Sequence, residues 1–159
     1  MRTLIVEDDF TSRLLRQSFL SKYGECHVAV NGKEALAAFR ASQESGQHYN
    51  LICMDIMMPE MDGQTAVKEI RALEEAAGTL STNGVKIVMT TALDDVKNVV
   101  QSFKSLCDAY LFKPIDTGKL LGHMKDLHLV DPSNFAAKPA GAELDLSADS
   151  GMPAKRLKR

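Results

Sequence analysis

The chain has 159 residues, 45% of them hydrophobic and 25% charged, with a formal net charge of -2 at pH 7. That is the balance of an ordinary globular domain long enough to bury a core, and it gives no reason to expect the chain as a whole to bind nucleic acid or a membrane. Its cysteines (Cys26, Cys53 and Cys107) are odd in number and lack CxxC spacing, which excludes a disulfide framework or a zinc site and points to a reducing cytoplasm.

Short apolar runs alternate with helical patterns, the signature of βαβ units around a parallel sheet. The first run covers residues 3–7 and is too short for a signal peptide; no later run is long enough to span a bilayer. An amphipathic helix is predicted over 12–23, with Leu14, Leu15, Ser18 and Phe19 on one face and Gly24 as its stop. A second run, 26–30, leads to Asn31 as a helix cap, with Glu34 reaching back as in a capping box. That helix buries Ala35, Leu36 and Phe39 and gives way to a polar loop over 42–50.

The third run, 51–57, is apolar except for Asp55, as expected of a central strand covered on both faces. Pro59 and Gly63 punctuate the next loop, and Ala66, Val67, Ile70 and Leu73 mark a third helix. A polar connection over 78–84 precedes the fourth run, 85–90. The fourth helix is predicted from about residue 94, with Val96, Val99, Val100 and Phe103 at helical spacing. The fifth run, Ala109–Phe112, ends at Lys113-Pro114, and a last helix over about 117–127 carries Leu120, Leu121, Met124 and Leu127. Residues 1–129 form the expected domain. From 130 to 159 the composition turns to Ala, Pro, Gly, Ser and Asp and closes on a basic cluster, a segment too poor in apolar surface to offset its ordering entropy and read as a flexible tail.

In an open parallel sheet, functional groups collect at the carboxyl ends of the strands. Glu7 and Asp8 end the first strand, Asp55 the third, Thr91 the fourth and Lys113 the fifth, so all five are expected on one edge. Three carboxylates together repel unless a cation sits among them. A hard divalent ion resolves this, and magnesium suits one or two carboxylates with a backbone carbonyl and waters, with manganese as a substitute. Calcium fits less well without a ligand-rich loop, and His27, His48, His123 and His128 fall elsewhere. Lys113 and Thr91 then neutralise and hydrogen-bond a transferred phosphoryl group, and Asp55 serves as the nucleophile. The methionines Met54, Met57, Met58 and Met61 are expected to fill core and loop contacts, and Cys53 to be a small core residue.

These residues resemble the bacterial response-regulator receiver domains. The matches are Ile5-Val6-Glu7-Asp8, the stretch from Met54-Asp55 through Pro59 to Asp62-Gly63, Thr91-Ala92, and Tyr110-Leu111-Phe112-Lys113-Pro114. The resemblance implies an α/β fold, a flavodoxin-like three-layer sandwich whose doubly wound five-stranded parallel sheet has order 2-1-3-4-5. It also implies that Asp55 takes a phosphoryl group from a histidine kinase or histidine phosphotransfer protein. Asp8, Asp55 and the Met57 backbone carbonyl would bind magnesium, with Glu7 acting through a metal-bound water, and Thr91, Ala92 and Lys113 would hold the phosphoryl group. Arg13 and Leu14 align best when Glu7 and Asp8 are the acidic pair, leaving Asp9 in the loop. Thr91 and Tyr110 would be the switch pair, and the Lys113–Pro114 bond would be cis.

The implied function is a stand-alone, chemotaxis-type regulator with no DNA-binding domain and no membrane segment. It would signal to an unknown output protein through the face of the fourth helix, fifth strand and fifth helix. Met57 and Leu93, flanking Asp55, imply restricted attack by water. A phosphoaspartate phosphatase would need a D-x-D motif after the first strand, and position 57 is Met. A flavin-mononucleotide carrier would need a phosphate loop there, and a receiver that works without phosphorylation would not need the full set of five polar residues.

Overall fold

β1 (Arg2–Val6) leads into α1 (Phe10–Leu20), which begins where Asp9 accepts the Ser12 N–H at 2.8 Å. Such a side-chain acceptor satisfies one of the N–H groups that every helix start leaves unpaired. Asn31, Asp62 and Asp116 do the same for α2 (Gly32–Ser45), α3 (Gly63–Ala76) and α4 (Thr117–Asp126). The remaining strands are β2 (Glu25–Ala29), β3 (Leu51–Asp55), β4 (Lys86–Thr91) and β5 (Ala109–Phe112). The structure, a computed structural model, describes residues 1–80, 82–92 and 106–131. The helix expected from about residue 94, Leu93, and the expected tail from 132 onward lie outside the described residues.

The five strands pair in parallel in the order β2-β1-β3-β4-β5. Because successive side chains on a strand point to opposite faces, the apolar strands supply two cores at once. Leu4, Val6, Ile52, Met54, Ile87 and Met89 meet Ala35, Phe39, Ala66 and Ile70 of α2 and α3 on one face. Ile5, Leu51, Cys53, Val88 and Leu111 meet Leu20 of α1 and Leu120 and Met124 of α4 on the other. This alternation also sorts the polar residues at the strand ends. Glu7, Asp55 and Lys113 each stand two residues beyond Ile5, Cys53 and Leu111, so all three are delivered to the α1–α4 side of the sheet.

Several local expectations differ from the structure. Helix α1 starts two residues earlier than predicted, because Asp9 is its cap, and its last predicted turn is a separate 3₁₀ turn, Ser21–Tyr23. Its inward face is not Leu14, Leu15 and Ser18: Leu14 and Leu15 are 52% and 67% exposed, and the buried residues are Arg16 and Leu20, with Phe19 at the edge of the core. The physical reason is an acid on β1's end that needs a counter-charge. Helix α2 runs to Ser45 instead of dissolving at Ser42, whose buried hydroxyl donates to the Phe39 carbonyl at 2.7 Å; Gly46 ends it at φ +71°. The Glu34 carboxylate reaches past the cap to accept the Val30 N–H at 2.9 Å. Met57 does not fill the core. Strand β3 ends at Asp55, and Met57 emerges from the following bend 64% exposed, whereas Met54 is buried and Met58 and Met61 pack against the first core. Leu129 and Val130 pack against the second core. Among the described residues, no helix is long and apolar enough to cross a membrane.

Candidate functional site

The site is built from backbone outward. Glu7 follows β1 directly, and its N–H bonds to the Ala29 carbonyl at 3.0 Å, which holds it in line with the sheet. Asp55 closes β3, and Ile56 N–H bonds across to the Thr90 carbonyl at 3.0 Å. Lys113 follows β5, with its N–H on the Thr91 carbonyl at 2.8 Å. Side chains leaving rigid strand ends in this way hold their spacing without relying on loops.

The carboxylates of Glu7, Asp8 and Asp55 each place an oxygen within 4.8 Å of the others, with Glu7 and Asp55 buried and Asp8 exposed at the mouth. Lys113 Nζ donates to Asp55 Oδ2 at 2.8 Å and to Glu7 Oε1 at 3.3 Å. Asp55 Oδ1 accepts the Met57 N–H at 3.3 Å. Asp9, the third acid of the run, is turned away as the α1 cap, which separates it from the pair Glu7 and Asp8. Three clustered carboxylates open to solvent on one side form an all-oxygen donor set, the chemistry a hard divalent ion such as magnesium takes.

Electrostatics tie the cluster together. Burial raises the Glu7 carboxyl above its ordinary value against the opposing charge of Arg16, and the Asp55 charge pushes the same way. Burial works to lower the Lys113 ammonium, but its hydrogen bond to Asp55 and the charges of Asp55 and Glu7 outweigh it, and the net shift is upward.

Thr91 is fully buried at the end of β4, and its hydroxyl donates to the Ala92 carbonyl at 3.2 Å instead of facing the acids. Ala92 itself is exposed just past the strand. Tyr110 pairs with Met89 across β4 and β5 and packs against the α2–α3 core, the face on which Thr91 also falls by alternation. Burial, and then the neighbouring Cys107 thiol, raise its phenol well above the ordinary value. The Lys113–Pro114 bond is cis. The structure therefore brings Glu7, Asp8, Asp55 and Lys113 together and leaves Thr91 and Tyr110 on the neighbouring face.

Two participants escaped the sequence reading. Arg16 Nη2 donates to Glu7 Oε2 at 2.6 Å from a fully buried position, and Arg13 Nη1 donates to the Glu7 carbonyl at 2.9 Å. The signal was present as Arg13, Arg16 and Leu20 at helical spacing, a face that points at the end of β1. Gly63 also does more than punctuate. A Cβ there would lie 2.1 Å from the Asp55 carbonyl oxygen, so α3 can start against the end of β3 only with glycine at that place.

A family model described as "Response regulator receiver domain" matches residues 3–125. Among curated proteins, the regulatory protein AtoC of Escherichia coli is 34% identical over 120 residues, which cover 75% of this chain and 23% of that protein. The transcriptional regulatory protein ZraR of Salmonella typhimurium is 31% identical over 143 residues, covering 85% of this chain and 30% of ZraR. The chain thus spans less than a third of the length of either relative. Among solved structures, the co-crystal structure of the Saccharomyces cerevisiae histidine phosphotransfer signaling protein Ypd1 and the receiver domain of its downstream response regulator Ssk1 matches with TM-score 0.67 and 30% identity, covering 80% of this chain and 88% of the matched one. A mutant receiver domain of the histidine kinase CKI1 from Arabidopsis thaliana matches with TM-score 0.68 and 28% identity, over 81% and 90% of the two chains. With a family match that runs from β1 into α4 and takes in every strand end that carries an acid or the lysine, the chain belongs to the response regulator receiver domain family and so to two-component signalling, not to metabolic enzymes.

Proposed function

We propose that Asp55 accepts a phosphoryl group from a histidine kinase or histidine phosphotransfer protein, with magnesium in the acidic pocket, and that the phosphorylated chain signals through protein contacts. The observation that carries this reading is the convergence of Asp55 with two further carboxylates and the Lys113 ammonium at the carboxyl edge of the sheet. A similar receiver, that of Ssk1, crystallised with a histidine phosphotransfer protein, which supports the donor class.

A carboxylate oxygen of Asp55 would form the bond to phosphorus as the P–N bond to the donor's imidazole breaks, its electron pair leaving on nitrogen. Asp8, Asp55 and the Met57 backbone carbonyl would hold magnesium, with Glu7 acting through a water. When bound, the ion supplies positive charge beside the transferred oxygens. Lys113 neutralises a further oxygen from its place against Asp55. The Thr91 hydroxyl would leave the Ala92 carbonyl to donate to the phosphoryl group, aided by the Ala92 N–H, and Tyr110 on the same face would respond. That coupling is a two-state element biased by a local charge event. Of the expected output face, β5 and α4 are described, and they carry the half-exposed Phe112 beside His123 and Lys119. A cytoplasmic setting belongs to the same proposal; no disulfide links Cys26, Cys53 and Cys107.

The test is the intact mass of the chain after incubation with acetyl phosphate, with and without Mg2+. A gain of one phosphoryl group only when the metal is present supports the reading; no gain under either condition would reject it.

A further inference from the structure

Helix α1 buries two residues, Leu20 and Arg16. Leucine in that place needs no explanation; arginine does. The Arg16 side chain is 3% exposed and spends Nη2 on Glu7 Oε2 at 2.6 Å, while its Nε and Nη1 have no hydrogen-bond partner among the described residues. Burying a guanidinium with two donors unmatched is unfavourable, and an apolar residue of similar volume packs a core better. Glu7 is held unevenly. Its Oε2 is gripped by the short Arg16 bond and also stands 3.2 Å from Lys113 Nζ, whereas Oε1 takes only longer contacts, from the Asp9 N–H at 3.3 Å and from Lys113 at 3.3 Å.

We infer that Arg16 is a positioning residue of the metal pocket, an internal counter-cation that fixes Glu7 Oε2, leaves Oε1 to face a metal-bound water, and lowers the pocket's affinity for a divalent cation. The inference rests on the magnesium-dependent reading above. Charge sets its direction. Glu7, Asp8 and Asp55 bring three carboxylates; Lys113 and Arg16 bring two cations in contact with them, and Arg13 adds a third that touches the Glu7 and Asp8 backbone carbonyls. Without Arg16 the pocket carries one more net negative charge and attracts Mg2+ more strongly. An arginine with a purely structural role predicts the opposite, since its loss would loosen Glu7 and weaken the site. Because the two cations share one carboxylate, the effect is reciprocal: bound Mg2+ loosens the hold of Glu7 on Arg16.

The experiment is a Mg2+ titration of the unphosphorylated chain at fixed pH and ionic strength, read from backbone amide shifts in nitrogen-edited NMR spectra. Arg16→Met is expected to bind Mg2+ about tenfold more tightly than the natural chain, the range of ordinary coupling between two charged sites. Arg16→Lys, which keeps the charge, is expected to stay near the natural affinity. In a Glu7→Gln background most of the gain from Arg16→Met should vanish, because the route runs through Glu7. If Arg16→Met does not fold, Arg16→Gln carries the same expectation. In the natural chain the Arg16 Nε–H resonance should move with the same Kd as the amides around Asp55.

Affinity in Arg16→Met or Arg16→Gln that is unchanged or weaker would overturn the role of Arg16 and leave the metal-dependent reading standing. A gain equally large in the Glu7→Gln background would overturn it as well. Absence of Mg2+ binding in every variant would overturn both readings together.

Discussion

The Lys113 ammonium stands 2.8 Å from Asp55 Oδ2, although β5 and β3 are not neighbours and β4 lies between them. The lysine therefore reaches over the end of β4 to contact the acid, and a charge-assisted bond of this length fixes both side chains. Since the net shift raises its pKa above 10.5, the stabilisation it provides is complete below that value and is lost only as pH rises past the folded value. Lys113→Met should slow phosphorylation by acetyl phosphate by about 10²-fold or more, the cost of removing one group that stabilises transition-state charge. A quenched time course of intact mass measures it, and a rate within the natural range would remove Lys113 from the chemistry.

Metal binding should register as stability. A ligand that binds only the folded state at about 100 times its Kd adds roughly 2.7 kcal/mol, so Mg2+ should raise the Tm of the natural chain. Asp8→Asn removes the exposed acid of the cluster and should abolish most of that rise while leaving the metal-free Tm nearly unchanged. Thermal unfolding followed by circular dichroism, with Mg2+ or with a chelator, checks both statements.

Two glycines should respond in opposite directions. At Gly63 the obstacle to a Cβ is the Asp55 carbonyl at 2.1 Å, backbone that no rotamer can move. Gly63→Ala should destabilise by about 1–3 kcal/mol, the usual range for overpacking. Gly122 lies within α4 with open space where a Cβ would go, and Gly122→Ala should stabilise by about 0.5–1 kcal/mol through helix propensity. Urea unfolding of the two variants decides the signs.

The fully buried Cys53 should be chemically silent in the folded chain. Desolvation pushes its thiol up to about 12, so almost no thiolate exists at pH 7–8. Cys26 and Cys107 are only partly buried and should be alkylated first by iodoacetamide. Peptide mapping during the reaction orders the three, and early modification of Cys53 would contradict its placement.

The strand runs were legible as short apolar stretches, and the gathering of functional groups at the carboxyl ends of parallel strands placed Glu7, Asp8, Asp55, Thr91 and Lys113 on one edge from the chain pattern alone. Strand order was not legible that way, since alternation does not say which strands are neighbours; the order 2-1-3-4-5 came with the family resemblance and is the order observed. Arg16 was missed because hydrophobicity placed Leu14 and Leu15 inside, while the buried acid on β1 decided which face of α1 turns inward. Met57 was misplaced for a related reason: an apolar run does not show where its strand stops, and β3 stops at Asp55. The left-handed cap at Gly46 extended α2 through serines that look like loop residues. Each miss concerns a single tertiary contact or turn that outweighed local propensity.

The central claim is that Asp55 carries the phosphoryl group. Its most direct test is the intact mass of the natural chain and of Asp55→Asn after parallel incubation with acetyl phosphate and Mg2+, followed by mapping of the modified peptide. One added phosphoryl group is expected on the natural chain, located on the peptide that holds Asp55, and none on Asp55→Asn. An equal gain in both chains, or a modification mapped to another residue, would contradict it.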